Sequence, residues 1–459
     1  MEYDDFAVRL TGARGQWRLH GGGSAGEDDI SLSRPGPSGA VSKAVARFGE
    51  LAGCEGVSGQ SVAPSPGDPA PRHEVDRELA ALGQELFFFL LPHPIALLWH
   101  QSRARATEAR RGLRLRVHVD LRRKDVAWFG SFPWELLYDE DSGGFLALDG
   151  RTPVVRYLDM RRPRRSISPA QPLRVLVVMP EPYDVTGLDL EAERDALLET
   201  WNEDERVELV FPEEATFDGV REAMRAAPIH AVHFMGHGTY DEKAGLGGLV
   251  LEAPSGRAAP VVGKSLGRLV SGLEAQPVFA VLNGCDTGRS GAGGGPWPFG
   301  YAATALMDAG LPASVAMQLP VGDDAARRFS AVLYRGLQGG LCVEQAVAEA
   351  RLSLSEEFPG PAWAVPALFM RVSHGRLFAP DGASLDDRDP GDHPGAGAED
   401  VVDVKTEGNR LRNVSAEFVG RDEEGKATGK DIRRKTTVEA NRIDAEGGTV
   451  SVVGVRRRK

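Results

Sequence analysis

Two segments of this 459-residue chain place a reactive side chain directly after an apolar run and a glycine. AVHFMGHG ends in His237 and Gly238, and FAVLNGCDTG contains Cys285. An imidazole that accepts the proton of a thiol generates a thiolate, which attacks carbonyl carbons. A glycine beside each reactive group is expected where the backbone must approach a substrate closely. The two segments therefore predict nucleophilic catalysis by a cysteine with a histidine as its base.

Each of these side chains also has a structural interpretation. A cysteine at the end of a strand is usually a small core residue, and a single histidine is usually a hydrogen-bonded structural group. The pairing favours catalysis for His237 and Cys285, whereas His230 and His233 are predicted to be structural. Zinc binding by His233 and His237 is excluded, because residues i and i+4 of a strand lie about 13 Å apart and zinc needs both nitrogens within about 2.1 Å.

Carboxylates follow another apolar run in PVGDDAARRF, where Asp323 and Asp324 precede a predicted helix. A carboxylate at this place would form the floor of a pocket for a basic substrate side chain. The alternative is that Asp323 only caps the helix, because Asp is a strongly preferred N-cap residue. Asp286, the neighbour of Cys285, is a third and weaker candidate for substrate binding.

Charge and cysteine content limit the classes of partner. The chain has 54 Lys and Arg against 66 Asp and Glu, a net charge of −12. This balance argues against nonspecific nucleic-acid or acidic-membrane binding, and no nucleic-acid partner is expected for the catalytic domain. Three cysteines are too few for a disulfide framework, and no CxxC pair suggests zinc. No metal and no cofactor are predicted. Cys54 is expected in a loop and Cys342 on a helix face, and neither is predicted to take part in catalysis.

The sequence favours a soluble protein of the reducing cytoplasm. The opening MEYDDFAVRL is acidic and lacks the apolar region of a signal peptide. The longest apolar run, residues 86–99, is interrupted by Pro92, His93 and Pro94. It falls short of the roughly 20 apolar residues that a membrane-spanning helix needs, so no membrane span is predicted.

The elements that must position the reactive residues alternate regularly from Leu173 onwards. Apolar β-branched runs typical of strands buried on both faces alternate with helical segments. Strands are predicted from residue 173 and at 207–211, 230–235, 278–282, 313–319 and 365–372. Helices are predicted at 190–201, 217–226, 264–273 and 301–309, and two more between 324 and 357. A hairpin is predicted at 246–252. This alternation predicts βαβ units and an α/β/α sandwich with a mainly parallel sheet. Because the carboxyl ends of parallel strands share one edge, His237 and Cys285 are expected to face the same crevice.

Composition divides the chain into five regions. Residues 1–72 predict a small β-containing module with a linker, and residues 73–168 predict two helices followed by the strand LRLRVHVDL, with one face outward. Residues 169–378 contain the α/β alternation. Residues 379–404 predict an acidic flexible linker, and residues 405–459 a β-rich tail in which NRLRNVSAEFVG is echoed by NRIDAEGGTVSVVG. The basic excess of this tail indicates either a contact surface or a solvated end.

Several segments together resemble the CHAT domain family, the bacterial branch of the peptidase clan that contains caspases and separases. They are HFMGHG, LNGCDTG, GLPASVAMQLPVGDDAARRF, LCVEQAVAEAR and WAVPALFMR, while LRLRVHVDL and PWELLYDEDSGGFLALDGRTPVVRYL are similar to the amino-terminal half of CHAT proteins. The resemblance covers roughly residues 74–372, and the spacing from His to Cys is close to the ~50 residues of caspases. The chain lacks the caspase pentapeptide around the cysteine and recognisable TPR repeats.

The resemblance implies a caspase-like α/β/α fold, preceded by an α+β amino-terminal half and followed by the small β-rich tail. It implies His237 as the base, Cys285 as the nucleophile, and the backbone N–H groups of Gly238 and Cys285 as oxyanion donors. In separases, an acid in the loop equivalent to PVGDD binds a basic P1 side chain, a role that would fall to Asp323 or Asp324.

The resulting hypothesis is a CHAT-type cysteine endopeptidase, a caspase- and separase-like hydrolase that makes a regulated cut in a protein substrate. A role in bacterial conflict or cell-death signalling is implied by the family alone. A protein activator would bind through the N-terminal module or the C-terminal tail. One alternative is a catalytically silent caspase-like scaffold, which the paired His and Cys disfavour. Another is a thioesterase or acyltransferase, which would need a CoA or acyl-carrier pocket, and the sequence has no phosphate-binding loop such as GxxxxGK[ST].

Overall fold

The computed structural model describes most of residues 1–378 and short strands beyond them. The described residues are 1–13, 16–32, 39–56, 69–121, 123, 126–158, 172–185, 191, 194–195, 198, 207–241, 243–244, 246–284, 297–319, 321–372, 374–378, 404–405, 415–416, 438–439, 444–446 and 449–451. The chain divides into two compact units, Met1–Asp387 and Arg388–Lys459.

Strands of the first unit form one large sheet and two small ones. They are β1 (Tyr3–Ala13), β2 (Gln16–Gly23), β3 (Gly26–Leu32), β4 (Gly112–His118), β5 (Tyr138–Asp139), β6 (Gly144–Phe145), β7 (Val154–Tyr157), β8 (Leu173–Val178), β9 (Val207–Val210), β10 (Ala231–Met235), β11 (Gly238–Asp241), β12 (Leu246–Glu252), β13 (Ala258–Val262), β14 (Phe279–Asn283), β15 (Ala313–Met317) and β16 (Pro366–Met370). Eleven of them pair in the order β3-β2-β1-β4-β7-β16-β15-β14-β10-β8-β9, while β11-β12-β13 and β5-β6 form separate sheets.

Helices lie between several of these strands. They are α1 (Gly39–Gly56), α2 (Pro69–Leu90), α3 (His93–Glu108), α4 (Ala127–Gly130), α5 (Phe217–Ala226), α6 (Gly263–Val270), α7 (Pro298–Ala309), α8 (Asp323–Gln338) and α9 (Val343–Glu357). Within the described part of the chain, no single helix is both long and apolar enough to cross a membrane; α2 and α3 pass that test only as a pair bent by 100°.

Nine strands of the large sheet form two parallel blocks that run in opposite directions, and β2 and β3 pair antiparallel at the β1 end. One block contains β1, β4, β7 and β16, and the other contains β9, β8, β10, β14 and β15. The blocks meet where β15 and β16 pair antiparallel, with Met317 opposite Pro366. The carboxyl ends of β8, β10, β14 and β15 therefore lie at one edge of the sheet, which is the edge where ligands bind in such folds.

Helices cover both faces of the sheet around β10. On one face His233 contacts α8, because its Nδ1 lies 2.7 Å from the Tyr334 hydroxyl. On the other face, Val232 and Phe234 line an apolar cavity together with side chains of α5, α6 and α7. Alternate residues of a strand point to opposite faces, so these contacts define a helix layer on each side. The predicted α/β sandwich with a mainly parallel sheet is confirmed.

The N-terminal strands differ from the prediction of a separate module. β1 pairs in parallel with β4, so residues 1–32 extend the large sheet instead of forming their own. Phe6, Val8 and Leu10 alternate along β1 and are buried, and the Phe6 ring lies 5.5 Å from that of Trp99 on α3. Such an apolar face needs a helix to cover it, and α3 comes from the neighbouring region of the chain.

The strand LRLRVHVDL also differs from its prediction, because its polar positions do not all face solvent. The side chain of Arg114 on β4 is only 2% exposed. Its Nε donates to Asp5 Oδ1 at 2.7 Å, and its Nη1 donates to Glu344 of α9. An alternating pattern predicts a solvent face only when no oppositely charged group packs over that face. Here the carboxylates of Asp5 and Glu344 pack over Arg114 and compensate its burial.

Three smaller predictions are corrected in the described residues. The segment 246–252 is not a hairpin but the single strand β12, which pairs with β11 on one side and β13 on the other. Cys54 lies in helix α1 rather than in a loop. Cys342 precedes α9 as its N-cap residue rather than lying on a helix face. Of the predicted helix 190–201, only residues 191, 194, 195 and 198 are described, and they are helical.

The second unit contains short strands in the described part of the tail. They are β17 (Val404–Lys405), β18 (Ser415–Ala416), β19 (Val438–Glu439), β20 (Asp444–Glu446) and β21 (Thr449–Ser451). β18 and β21 belong to the two copies of the sequence echo, and they pair in parallel, with Ser415 opposite Thr449. Most of the predicted acidic linker, residues 379–404, lies outside the described residues.

Candidate active site

The two segments that carry the predicted nucleophile and base end side by side. β10 and β14 pair in parallel from Ala231 opposite Phe279 to Met235 opposite Asn283. The pairing continues one residue further, since Gly236 N donates to Asn283 O at 3.2 Å. Every residue of both strands is buried, as their continuous apolar sequences predict.

The two reactive residues lie the same number of residues beyond the last pair of this ladder. His237 is the second residue after Met235, and Cys285 is the second residue after Asn283. His237 is partly buried, and its position is described. Cys285 and Asp286 lie outside the described residues, whose last position on this segment is Gly284.

Glycines allow the two strand ends to approach each other and the start of α7. A Cβ atom on Gly284 would lie 2.7 Å from the carbonyl oxygen of Gly236 and closer still to the ring of Phe299. A Cβ atom on Gly238 would lie 2.9 Å from Pro298 Cβ and 3.1 Å from Phe299 Cε2. Real Cβ atoms essentially never come within 3.0 Å of such atoms, so a side chain at either site would force its neighbours to move. The first turn of α7 thus packs against a glycine next to each reactive residue.

This arrangement also has an electrostatic consequence. The first residue of α7 is Pro298, and side chains of its first turn lie against Gly238 and Gly284. The N-terminus of a helix carries a partial positive charge that favours nearby anions. A thiolate or an oxyanion formed next to these glycines would be stabilised by that charge.

The backbone at Gly238 is oriented by β12. Val250 N donates to His237 O at 2.9 Å, and Gly238 is the residue opposite Leu249. In an antiparallel ladder this bond makes Gly238 and Leu249 a pair that does not exchange hydrogen bonds. The N–H group of Gly238 therefore points away from β12.

His230 and His233 take part in the hydrogen bonding of the sheet layer. Nδ1 of His230 accepts a hydrogen bond from Arg174 N at 2.8 Å, and burial lowers the pKa of His230 below its ordinary value. His233 is fully buried against Tyr334. These contacts are those expected of structural histidines.

The predicted substrate carboxylates lie at the same sheet edge, where α8 follows β15. Gly322 occupies the N-cap position of α8, with φ −63° and ψ 146°, so Asp323 is the first helical residue and not the cap. An acid in the first turn still complements the helix dipole. Asp324 is exposed and accepts a hydrogen bond from Arg327 one turn later.

A buried polar network next to this edge was missed by the sequence analysis. Arg156 on β7 and Glu135, in the 3₁₀ turn Trp134–Leu136, are both fully buried. Arg156 Nη2 donates to Glu135 Oε2 at 2.6 Å, and Nε donates to Oε1 at 3.2 Å. The same guanidinium donates to Gln318, the residue after β15, at 2.7 Å. A charge inside each apolar segment, PWELL and VVRY, is the signal that could have indicated a buried ion pair.

One cluster among the described residues has side chains of the type that bind metals. It consists of His100, Asp139 and Asp141, whose ligand atoms lie within 4.8 Å of one another. Arg103 Nη1 donates to Asp139 Oδ2 at 3.2 Å, so a guanidinium already balances that carboxylate. The cluster is therefore explained as an ion-pair group of α3 and β5.

Comparison with known proteins supports the resemblance seen in the sequence. The CHAT domain family model matches residues 81–367. A search of curated proteins finds no match to this chain. Among solved structures, the chain is similar to two crystal structures of the Saccharomyces cerevisiae separase–securin complex, with 10% and 12% identity and TM-scores of 0.41 and 0.35. Each alignment covers 80% of this chain and 30% of the other, so this chain spans less than a third of that neighbour's length.

Proposed function

We propose that this chain, which belongs to the CHAT domain family, is a cysteine endopeptidase with His237 as its base and Cys285 as its nucleophile. The observation that carries the proposal is the parallel register of β10 and β14. Because Met235 lies opposite Asn283, the chain reaches His237 and Cys285 after the same number of residues on adjacent strands. Adjacent parallel strands deliver such residues to one crevice at the carboxyl edge.

The proposed reaction follows from these groups. His237 accepts the proton of the Cys285 thiol, and the thiolate attacks the carbonyl carbon of the scissile peptide bond. The N–H groups of Gly238 and Cys285 donate to the oxyanion of the tetrahedral intermediate. His237 then protonates the leaving amine as the C–N bond breaks, and a thioester to Cys285 remains. Water, deprotonated by His237, hydrolyses the thioester and restores the thiol.

Two features of the described residues support this chemistry. The N–H group of Gly238 points away from β12, so it does not donate to the neighbouring strand. The first turn of α7 lies against Gly238 and Gly284, where its partial positive charge favours the thiolate. Both features support the proposal that negative charge is stabilised beside the nucleophile.

The substrate is proposed to be a protein that is cut after a basic residue. Asp323 and Asp324 follow β15 at the edge that carries His237, and Asp286 neighbours Cys285. A substrate arginine would compete with Arg327 for Asp324, since those two side chains form an ion pair. The cleavage is further proposed to be cytoplasmic and regulated by a protein activator bound to the N-terminal strands or the tail, with a role in bacterial conflict.

Labelling by a peptide chloromethylketone tests the catalytic assignment. We expect the wild-type protein to be labelled at Cys285, and Cys285→Ala and His237→Ala to lose both labelling and peptide cleavage. Since the two groups act as a unit, the double variant should be scarcely worse than either single variant. Cys54→Ala removes another thiol and should keep full activity. Full activity in either site variant would refute the assignment of His237 and Cys285. A wild-type protein that neither reacts nor cleaves would identify a silent scaffold instead.

A peptide library with varied P1 residues tests the substrate assignment. We expect a preference for Arg or Lys, and a loss of about 10²-fold in kcat/KM for those substrates in Asp323→Asn or Asp324→Asn. Apolar P1 substrates should be nearly unaffected by either change. A wild-type preference for Leu or Met, or an Arg preference indifferent to both substitutions, would leave these aspartates with a role in helix α8 alone.

A further inference from the structure

We infer that Arg156 and Glu135, from the amino-terminal half of the first unit, are positioning residues for the catalytic dyad. They act through Trp297 and the first turn of α7. The inference rests on the proposed function, because it concerns the geometry of His237 and Cys285. It assigns a role in catalysis to a half of the chain that contributes neither reactive group.

Trp297 is the first link between the buried ion pair and the site. It immediately precedes α7 and is only 6% exposed. Its indole Nε1 donates to Met317 O at 2.7 Å, which ties it to the last residue of β15. Its ring lies 5.3 Å from the Phe369 ring on β16. The residue before α7 is therefore fixed to the two strands at which the blocks of the sheet meet.

Arg156 holds the ring of Trp297 from the other half. Its Cζ lies 4.9 Å from the Trp297 ring centroid, within the range of a cation–π contact. All of its nitrogens are hydrogen-bonded: Nη1 to Gly130 O at 2.6 Å, Nη2 to Phe132 O at 2.8 Å, and the remaining bonds to Glu135 and Gln318. A planar guanidinium with this many fixed partners has one orientation, so the surface that it offers to Trp297 is rigid.

The Trp297 ring contributes to the charge balance of the buried network. Among the described residues, the carboxylate bonded to Arg156 is that of Glu135, and a second buried guanidinium, that of Arg351, lies 3.8 Å from the Glu135 carboxylate. The pKa of Arg351 is lowered to about 10, chiefly by burial and also by the neighbouring Arg156 charge, against the attraction of Glu135. Two buried cations thus share one anion, and the face of Trp297 supplies negative electrostatic potential to Arg156.

The second link runs from Trp297 to the site through α7. Pro298 and Phe299, the next two residues, are those that contact Gly238 and Gly284. Gly300 sits directly on the Trp297 ring, where a Cβ atom would lie 2.8 Å from Cζ3. A shift of Trp297 would therefore move the first turn of α7 relative to both glycines. An error of about 1 Å at reacting groups can reduce a rate by 10²-fold, so a small shift has a large effect.

The experiment compares Trp297→Leu and Trp297→Phe in the full chain. Both changes remove the indole donor to Met317 O, but Trp297→Phe keeps an aromatic face for Arg156 and Trp297→Leu does not. We expect Trp297→Leu to lower kcat at least 10-fold with little change in KM, and to change the pH profile of chloromethylketone labelling at Cys285. Trp297→Phe should stay within about 3-fold of wild type. Trp99→Leu changes a fully buried tryptophan of α3, and it should lower the Tm but leave the pH profile unchanged.

Glu135→Gln provides the same test if Trp297→Leu does not fold, because it keeps the shape of the side chain and removes the charge that orients Arg156. It should lower kcat and alter the labelling profile in the same direction. A wild-type rate and pH profile in a folded Trp297→Leu or Glu135→Gln variant would overturn the inference while leaving the dyad intact. Absence of labelling in the wild-type protein would instead overturn the proposed function.

Discussion

Gly284→Ala is the substitution for which the structure gives the sharpest expectation. The added methyl group would lie 2.7 Å from Gly236 O and nearer still to the Phe299 ring. Ordinary carbon contacts need about 3.5 to 4.0 Å, so either the end of β14 or the first turn of α7 must move by about 1 Å. Both movements change the separation of the chain segments that carry His237 and Cys285.

The expected result is a large loss of activity with a moderate loss of stability. A displacement of about 1 Å at the reacting groups corresponds to a fall in kcat of about 10²-fold. Overpacking of a methyl group costs about 1 to 3 kcal/mol of stability, which lowers the Tm by several degrees and leaves the protein folded at 20 °C. Peptide turnover and chloromethylketone labelling measure the first effect, and a thermal melt measures the second.

A second substitution separates this explanation from general damage. Phe299→Ala removes the ring that the new methyl group meets, so the double variant Gly284→Ala/Phe299→Ala should recover part of the kcat lost in Gly284→Ala. Gly144→Ala is the matched control, because a Cβ atom there meets no neighbour within 4 Å. Wild-type kcat in Gly284→Ala, or no recovery in the double variant although it melts normally, would refute the reasoning.

Three further predictions concern stability and thiol chemistry. Burial raises the pKa of the Cys342 thiol to about 12, so at pH 8 its thiolate fraction is about 10⁻⁴. Iodoacetamide should therefore label Cys342 about 10³-fold more slowly in the folded protein than in the protein unfolded in urea, and equal rates would contradict the burial of Cys342. Glu344→Ala leaves Arg114 buried with one partner fewer and should lower the Tm by about 5 °C. Arg18→Ala, at an exposed ion pair, should change the Tm by about 1 °C or less, and similar shifts for the two variants would contradict the distinction. Truncation after Asp387 should leave cooperative melting of the first unit unchanged, and a Tm many degrees lower would show that the tail belongs to its fold.

Local signals in the sequence determined the elements around the site. The helix predicted at 217–226 has those bounds because Thr216 caps it, its side chain accepting from Gly219 N at 3.1 Å. The strands β10 and β14 were predicted from continuous apolar runs. The glycines beside His237 and Cys285 were expected to let the backbone approach a substrate, which stays a prediction, whereas their packing against the first turn of α7 is seen only in the structure. Each of these signals lies within a few residues of the feature that it predicts, so it can be read without knowing the fold.

The tertiary structure alone decided how distant segments share the sheet and its charges. β1 joins the sheet through β4, and β16 runs antiparallel to β15, although neither strand's own sequence specifies its neighbour or direction. Arg114 and Arg156 look like solvent-facing or anomalous charges in the sequence, yet both are buried against carboxylates. Glu344 is 230 positions from Arg114 along the chain. A buried charge is tolerated only when a partner compensates its desolvation, and which residue becomes that partner is settled by the packing of the whole unit.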